Sequence, residues 1–183
     1  MRQRRIFRPA RRPVSRAFLG GTLALAGALL VALGLPSDLM GSAPRTADWR
    51  AGASEIRVVD GDTLRLGERT LRLLGVDAPE RGQSCTDAQG RLYDCGTAAA
   101  AELARLVGDR GVECRIHGRD RFGRALGVCA ANGVELNASL VNGGWALATG
   151  DALPALVPLE GAARLAQRGL WAGGFEPPAH WRR

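Results

Sequence analysis

The stretch from Val58 to Glu80, VVDGDTLRLGERTLRLLGVDAPE, constrains the fold more than any other part of this chain. Two short alternating apolar runs meet at Gly67-Glu68, and a tight turn there makes them antiparallel strands of one hairpin. Residues whose numbers sum to 135 then face each other, so Asp62 opposes Leu73. The open end of the hairpin collects charge. Asp60 and Asp62 flank Gly61, Asp77 and Glu80 follow the second run, and Arg72 interrupts a leucine-rich strand. On a straight strand Asp77 would lie four residues past Leu73, about 13 Å from Asp62 at about 3.3 Å per residue. For these acids to form one site the strand must curl back, and Gly75 is where a bend costs least. A coiled hairpin in a small barrel brings the acids together, whereas a straight surface hairpin leaves them as solvated turn residues.

The rest of the chain supplies elements for such a barrel. Glu55 to Val59 reads as a first strand, Leu64 and Leu66 lie on the second, and Leu71 to Val76 form the third. Arg81 to Gly96 is a polar loop carrying Cys85 and Cys95. Thr97 is placed to cap a helix whose apolar face is Ala100, Leu103, Ala104 and Val107. Val112 to Ile116 and Ala125 to Ala130 are two more strands joined through GRDRFGR, and Leu136 to Leu140 and Leu156 to Leu170 are further helices. Five strands with about three helices predict an α+β domain built on a small five-stranded barrel. The closing GGFEPPAHWRR reads as a tail over the barrel with no catalytic role.

Charge and hydropathy divide the chain. Residues 1–16 hold seven arginines and no acid, and residues 17–35, AFLGGTLALAGALLVALGL, carry no charge over 19 positions. That length just spans a bilayer core at about 1.5 Å per residue. The segment is an inner-membrane anchor or, on the competing reading, a signal sequence that is cleaved. Either way the arginine block stays cytoplasmic and the remainder is extracytoplasmic, anchored or secreted. Residues 36–52, rich in Gly, Pro, Ser and Ala, read as a flexible linker, and 53–183 as the folded domain. From residue 45 onward 18 arginines face 17 acids, so the net charge of +7 belongs to the N-terminus. Bulk charge therefore gives the domain no independent claim on nucleic acid.

Four cysteines in an exported domain predict two bridges, with three pairings formally possible. Cys114 and Cys129 sum to 243, which centres their hairpin between Arg121 and Phe122, where the sequence itself turns. They can therefore be direct cross-strand partners at a spacing a disulfide tolerates. Cys85 and Cys95 would staple the loop after Glu80. A metal cluster is disfavoured by the absence of Cys-x-x-Cys spacing and of nearby histidines.

With only the isolated His117 and His180, the chain is a poor candidate for zinc hydrolysis or a Ser-His-Asp arrangement. Hard carboxylate oxygens from Asp62 and Asp77, completed by a backbone carbonyl and waters, suit Ca²⁺ or Mg²⁺, and Ca²⁺ better tolerates incomplete protein coordination. Arg72 and Arg124 can fork onto phosphate oxygens. Glu80, three positions past Asp77, can hold an attacking water as general base. Together these make a device for in-line attack on a phosphodiester. The competing reading is bland: a solvated Asp-Gly-Asp turn, and a strand arginine that is half of an ion pair.

The segments VVDGDTLRL, RTLRLLGVDAPE, DRFGRALGVC and ELNASLVNGGWA, closed by GLW, together resemble the staphylococcal nuclease-like thermonucleases over about residues 55 to 172. The resemblance implies an OB-fold barrel with three helices and Ca²⁺-dependent hydrolysis of DNA and RNA. It implies one Ca²⁺ held by Asp62, Asp77 and the backbone carbonyl of Ala78, with Arg72 and Arg124 on the scissile phosphate and Glu80 as general base. Arg121 stands where the family has a phosphate-binding lysine. Two departures touch substrate grip: Phe122 replaces a tyrosine, and ALATGDALP lacks the tyrosines that would stack on a base. A catalytically inactive OB-fold module that binds nucleic acid or a protein is the alternative, but such a module has no physical need for all five side chains Asp62, Arg72, Asp77, Glu80 and Arg124. The expected partners are nucleic acid and the inner membrane, with no protein partner.

Overall fold

In the computed structural model, residues 47–182 are described; the basic segment, the apolar segment and most of the expected linker lie outside them. The hairpin that organises the sequence forms in the expected register. Strands β2 (Ile56–Asp60), β3 (Thr63–Leu66) and β4 (Arg69–Leu73) are antiparallel neighbours, with Thr63 opposite Arg72 and Leu66 opposite Arg69. Gly67 takes the positive φ of 59° that the tight turn requires. Alternation decides which side is buried: Leu64, Leu66, Leu71 and Leu73 are all essentially inaccessible, while Arg65 and Arg69 face out. Fully burying each such leucine stabilises the fold by about 1.5–3 kcal/mol before chain entropy is counted.

The strand ends where a bend was required. Gly75 has φ 74°, and a Cβ there would run into Leu153. Beyond it the chain leaves the main sheet as β5 (Val76–Asp77), which pairs instead with β11 (Leu147–Ala148), Asp77 opposite Leu147. The third strand therefore stops at Leu73 and does not run to Val76. Asn137, completely buried at the start of a helix, fastens this corner. It donates to the carbonyls of Leu74 and Gly127 and accepts from the Cys129 N–H.

The main sheet has seven strands and is mixed. Strands β8 (Val112–Arg119) and β9 (Ala125–Ala131) form the second long hairpin, β9 runs parallel to β4, and the short β10 (Val134–Glu135) pairs with β9. Cys114 is directly opposite Cys129 as expected, but the register slips by one between Ile116 and Gly118, leaving His117 as the extra residue of a bulge.

Two of the expectations that need correction concern the linker and the barrel. The stretch read as linker contains β1 (Ala47–Ala51), whose backbone ladder to β8 sets Trp49 opposite Cys114. Trp49 packs on the core with the Arg69 guanidinium 4.4 Å above its ring, which gives order to a segment without an apolar period. Second, the sheet is not a closed five-stranded barrel. Its path is β1-β8-β9-β4-β3-β2, and the two end strands are joined by Gly52 and a 3-10 turn, Ala53–Glu55, rather than by a ladder.

Helices cover the sheet. Helix α1 (Cys95–Val107) buries Ala99, Ala100, Leu103 and Val107, with Ala99 taking the place expected of Ala104. Its cap is Asp94 rather than Thr97. The Asp94 carboxylate accepts from the Thr97 N–H at 2.8 Å and the Thr97 hydroxyl at 2.7 Å, and also from the Gly82 N–H. Helix α2 (Leu136–Asn142) follows β10. The expected long helix is broken into a 3-10 turn at Pro154–Leu156, α3 (Val157–Leu165) and a second 3-10 turn at Gly169–Ala172, with Gln167 and Gly169 both at positive φ.

The polar loop after Glu80 is itself a hairpin, β6 (Ser84–Thr86) and β7 (Leu92–Asp94), stapled by Cys85–Cys95; the second bridge is Cys114–Cys129. Leu170, Tyr93, Leu147 and Phe175 pack around the first bridge as a small separate cluster. The chain finishes in a short helix, α4 (Pro178–Trp181).

Candidate active site

The bend at Gly75 does what the acids needed. A single nitrogen of Arg72, Nη2, lies 2.6 Å from Asp62 Oδ2 and 3.0 Å from Asp77 Oδ1, so both carboxylates face one point. Arg72 Nη1 donates to Asp62 Oδ1 at 2.7 Å, the Thr63 hydroxyl donates to the same oxygen at 2.9 Å, and the Ala78 N–H donates to Oδ2 at 3.1 Å. Asp62 is not a solvated turn residue: only 2% of it is exposed. Gly61 explains the packing, because a Cβ there would collide with Ala78 and with Ala99 of helix α1. Asp60 stays a turn residue, accepting from the Asp62 N–H at 3.2 Å.

This environment raises the Asp62 pKa to about 7. Burial is the main cause, Arg72 pulls the other way, and the neighbouring Asp60 charge adds to the rise. A carboxylate in that condition is short of positive charge. Two carboxylates drawn together around the Arg72 nitrogen supply hard oxygens of the kind a Ca²⁺ site uses, with carbonyls and waters to complete a shell. In this arrangement the guanidinium itself stands where their nearest oxygens converge. Among the described residues no group of three or more His, Cys, Asp or Glu side chains converges, so an ion here would depend on those non-carboxylate oxygens. Of Ala78, the N–H is the group engaged with Asp62.

Arg72, Glu80, Arg121 and Arg124 line one open cavity of about 1100 Å³, together with Asp120, Phe122 and Leu126. Arg124 comes from the β8–β9 turn, where Asp120 accepts from the N–H groups of Phe122 and Arg124 and from Arg124 Nε at 2.7 Å. These bonds hold the Asp120 carboxyl below its ordinary pKa against the opposing effect of burial. Arg121 is exposed, its guanidinium 4.7 Å from the centre of the Phe122 ring, which is itself open to solvent. Glu80 sits where β5 runs into the stapled loop. Its N–H donates to the side chain of Gln83, a completely buried residue.

Sequence reasoning missed one member. The cavity is also lined by Ala179 and Arg182, and Arg182 donates from Nη1 to Glu80 Oε1 at 2.8 Å and from Nη2 to Asp77 Oδ1 at 2.7 Å. The tail read as a passive cover thus delivers a guanidinium onto two of the candidate acids. Nothing local in GGFEPPAHWRR signals this contact; only the alternation of Gly, Pro and aromatic residues hints at a fixed path. Gln83 and Asn137, both buried and hydrogen-bonded through their amides, are other polar residues that sequence left without a role.

Residues 70–173 match the family described as Staphylococcal nuclease homologue. A Rhizobium meliloti (strain 1021) protein named Succinoglycan biosynthesis protein ExoI is 40% identical over 104 residues, a match covering 53% of this chain and 54% of that protein. An Escherichia coli O157:H7 protein named Uncharacterized endonuclease is 33% identical over 135 residues, covering 69% of this chain and 82% of that one. The Oryza sativa subsp. japonica Probable staphylococcal-like nuclease CAN2 is 32% identical over 136 residues, covering 73% of this chain but 34% of its own length.

Proposed function

Because this chain belongs to the staphylococcal nuclease family, we propose that it is a Ca²⁺-dependent nuclease that hydrolyses phosphodiester bonds of DNA or RNA outside the cytoplasm. One observation carries the reading. Arg72, Glu80 and Arg124, from three separated segments, line a single cavity, and Arg72 ties its wall to the two acids behind it, Asp62 and Asp77, of which Asp62 is the more buried and has its pKa raised. A binding surface has no use for a buried acid held behind the arginine wall of such a cavity.

Asp62 and Asp77 would hold the ion, with the Ala78 carbonyl as a further donor. When bound, Ca²⁺ would polarise a phosphoryl oxygen and offset developing charge. Arg124, held in position by Asp120, presents its guanidinium to the same cavity, where it binds a phosphate oxygen and stabilises the charge that grows on it. Arg72 serves both sides, fixing the two acids and lining the cavity. Glu80 accepts the proton of the attacking water. The exposed Arg121 contacts a neighbouring phosphate of the chain. Two disulfides support an oxidising compartment, in keeping with the basic and apolar N-terminal segments that precede the domain.

The test is digestion of single-stranded DNA and RNA by the full chain with Ca²⁺ and with chelator, beside Arg124→Ala. Cleavage should require Ca²⁺, and the variant should turn over about 10²-fold or more slowly. A folded, oxidised protein that cleaves neither polymer in Ca²⁺ refutes the reading.

A further inference from the structure

Arg182 approaches the acids from 102 and 105 residues away in sequence, and its route is fixed at every step. Gly173 sits against the Thr86 and Asp87 carbonyls with no room for a Cβ. Next to it the Thr86 N–H donates to the Gly174 carbonyl at 2.8 Å, and the Gly174 N–H donates to the Thr86 hydroxyl at 2.9 Å. Phe175 packs edge-on against Trp171, 5.0 Å between ring centres, over the Cys85–Cys95 bridge. Gln83 then joins the two partners directly. It accepts from the Glu80 N–H and donates to the Glu176 carbonyl at 2.7 Å, so the backbone of the candidate base and the backbone of the tail hang on one buried side chain. Pro178, buried, starts the short helix that ends at the arginine.

From these contacts we infer that Arg182 is a positioning residue of the active site. Its fork holds the Glu80 carboxylate beside Asp77, and its charge limits how strongly the acids attract a divalent cation. The inference rests on the nuclease reading above. Glu80 has no other ion-pair partner among the described residues, and Arg182 grips it at one end of a planar fork whose other end is fixed on Asp77. A base held this way keeps its position between turnovers; a free one samples many rotamers and meets the water less often. The same guanidinium shares Asp77 Oδ1 with Arg72. Its positive charge therefore repels any cation drawn to Asp77, and removing it leaves the acids more attractive to Ca²⁺.

Charge and fork separate by substitution. Arg182→Ala removes both; Arg182→Lys keeps the charge but cannot bridge two carboxylates with a planar fork. Two readouts are used on the full-length protein: Ca²⁺ binding by calorimetry without nucleic acid, and steady-state cleavage of an oligonucleotide. Arg182→Ala should bind Ca²⁺ about tenfold more tightly, since neighbouring charges couple by this order, while kcat falls about tenfold or more and KM changes less than about twofold. Arg182→Lys should bind Ca²⁺ as wild type does but retain the low kcat. Loss of tail packing alone would not tighten Ca²⁺ binding. Weaker or equal Ca²⁺ binding by Arg182→Ala overturns the charge role, and an unchanged kcat, or full rescue by lysine, overturns the fork. If those results come from a wild type that cleaves in Ca²⁺, the nuclease reading stands without Arg182. A wild type that neither binds Ca²⁺ nor cleaves removes both.

Discussion

Replacing Asp62 by asparagine tests the electrostatic heart of the site without reference to turnover. Asp62 is 2% exposed and has its pKa pushed up to about 7 from an ordinary 3.8, chiefly by burial. The folded state therefore holds this proton more tightly than the unfolded chain does. The resulting stability is fully present below about pH 4 and is lost as pH rises through about 7. At 1.36 kcal/mol for each pKa unit, the loss amounts to about 4 kcal/mol in the cation-free protein. Asp87, Asp94 and Asp120 act in the opposite sense, because their hydrogen bonds lower their pKa values. Their contribution is lost only as pH falls below the ordinary carboxylate range, outside the window from pH 4.5 to 7.5. Urea unfolding in chelator should thus show the midpoint falling by about 2 M across that window, for an m-value of about 2 kcal/mol/M. Asp62→Asn should abolish most of the fall, since the amide keeps an oxygen for the Ala78 N–H and has no charge to bury. Ca²⁺ added at pH 7.5 should restore the wild type and leave the variant unmoved. An equal pH dependence in the two proteins would refute the claim that Asp62 is a buried carboxylate in need of a cation.

Two further outcomes follow from the packing. Removing the Cys114–Cys129 bridge by serine substitution opens a loop with a sequence separation of 15 and should cost about 3 kcal/mol, read as a lower urea midpoint. Gly96→Ala would drive a Cβ into the Glu80 carbonyl at the start of helix α1. It should displace the candidate base and lower kcat by about 10², with the disulfides still formed by thiol titration; unchanged turnover would detach Glu80 from the chemistry.

What the sequence made legible was local and periodic. The Gly67 turn fixed the pairing of Thr63 with Arg72, and the Leu73 N–H bonds the Asp62 carbonyl at 2.8 Å, the very pair that summing to 135 predicts. Gly75 could be named as the bend because the acids had no other way to meet. Cys114 and Cys129 were predictable for the same reason, as their hairpin is closed by its own turn. The bulge at His117 was not, because nothing in VECRIHGR distinguishes a ladder that slips by one from a ladder that does not. Strand β1 was missed because its order comes from a partner strand more than 60 residues away, and its only large apolar residue is Trp49. The Asp94 cap was overlooked for Thr97, one turn later, although Thr97 is the residue that donates to it.

Arg182 shows where such reading stops and what replaces it. An arginine in a polar tail is ordinarily a solvated charge, and its value here depends on a route fixed by Gly173, Phe175, Gln83 and Pro178, of which only Gln83 is close to the acids in sequence. That route passes over the hairpin stapled by Cys85–Cys95, the loop that follows the candidate base directly. The staple, the tail and the acids therefore form one mechanical unit. The bridge fixes the hairpin, Thr86 and Gln83 on that hairpin fix the tail, and the tail returns a guanidinium to Asp77 and Glu80. A disulfide that looks like reinforcement of an exposed loop is, on this geometry, part of what holds the base in place. Its reduction should therefore act on the site as Arg182→Ala does, lowering kcat more than it raises KM.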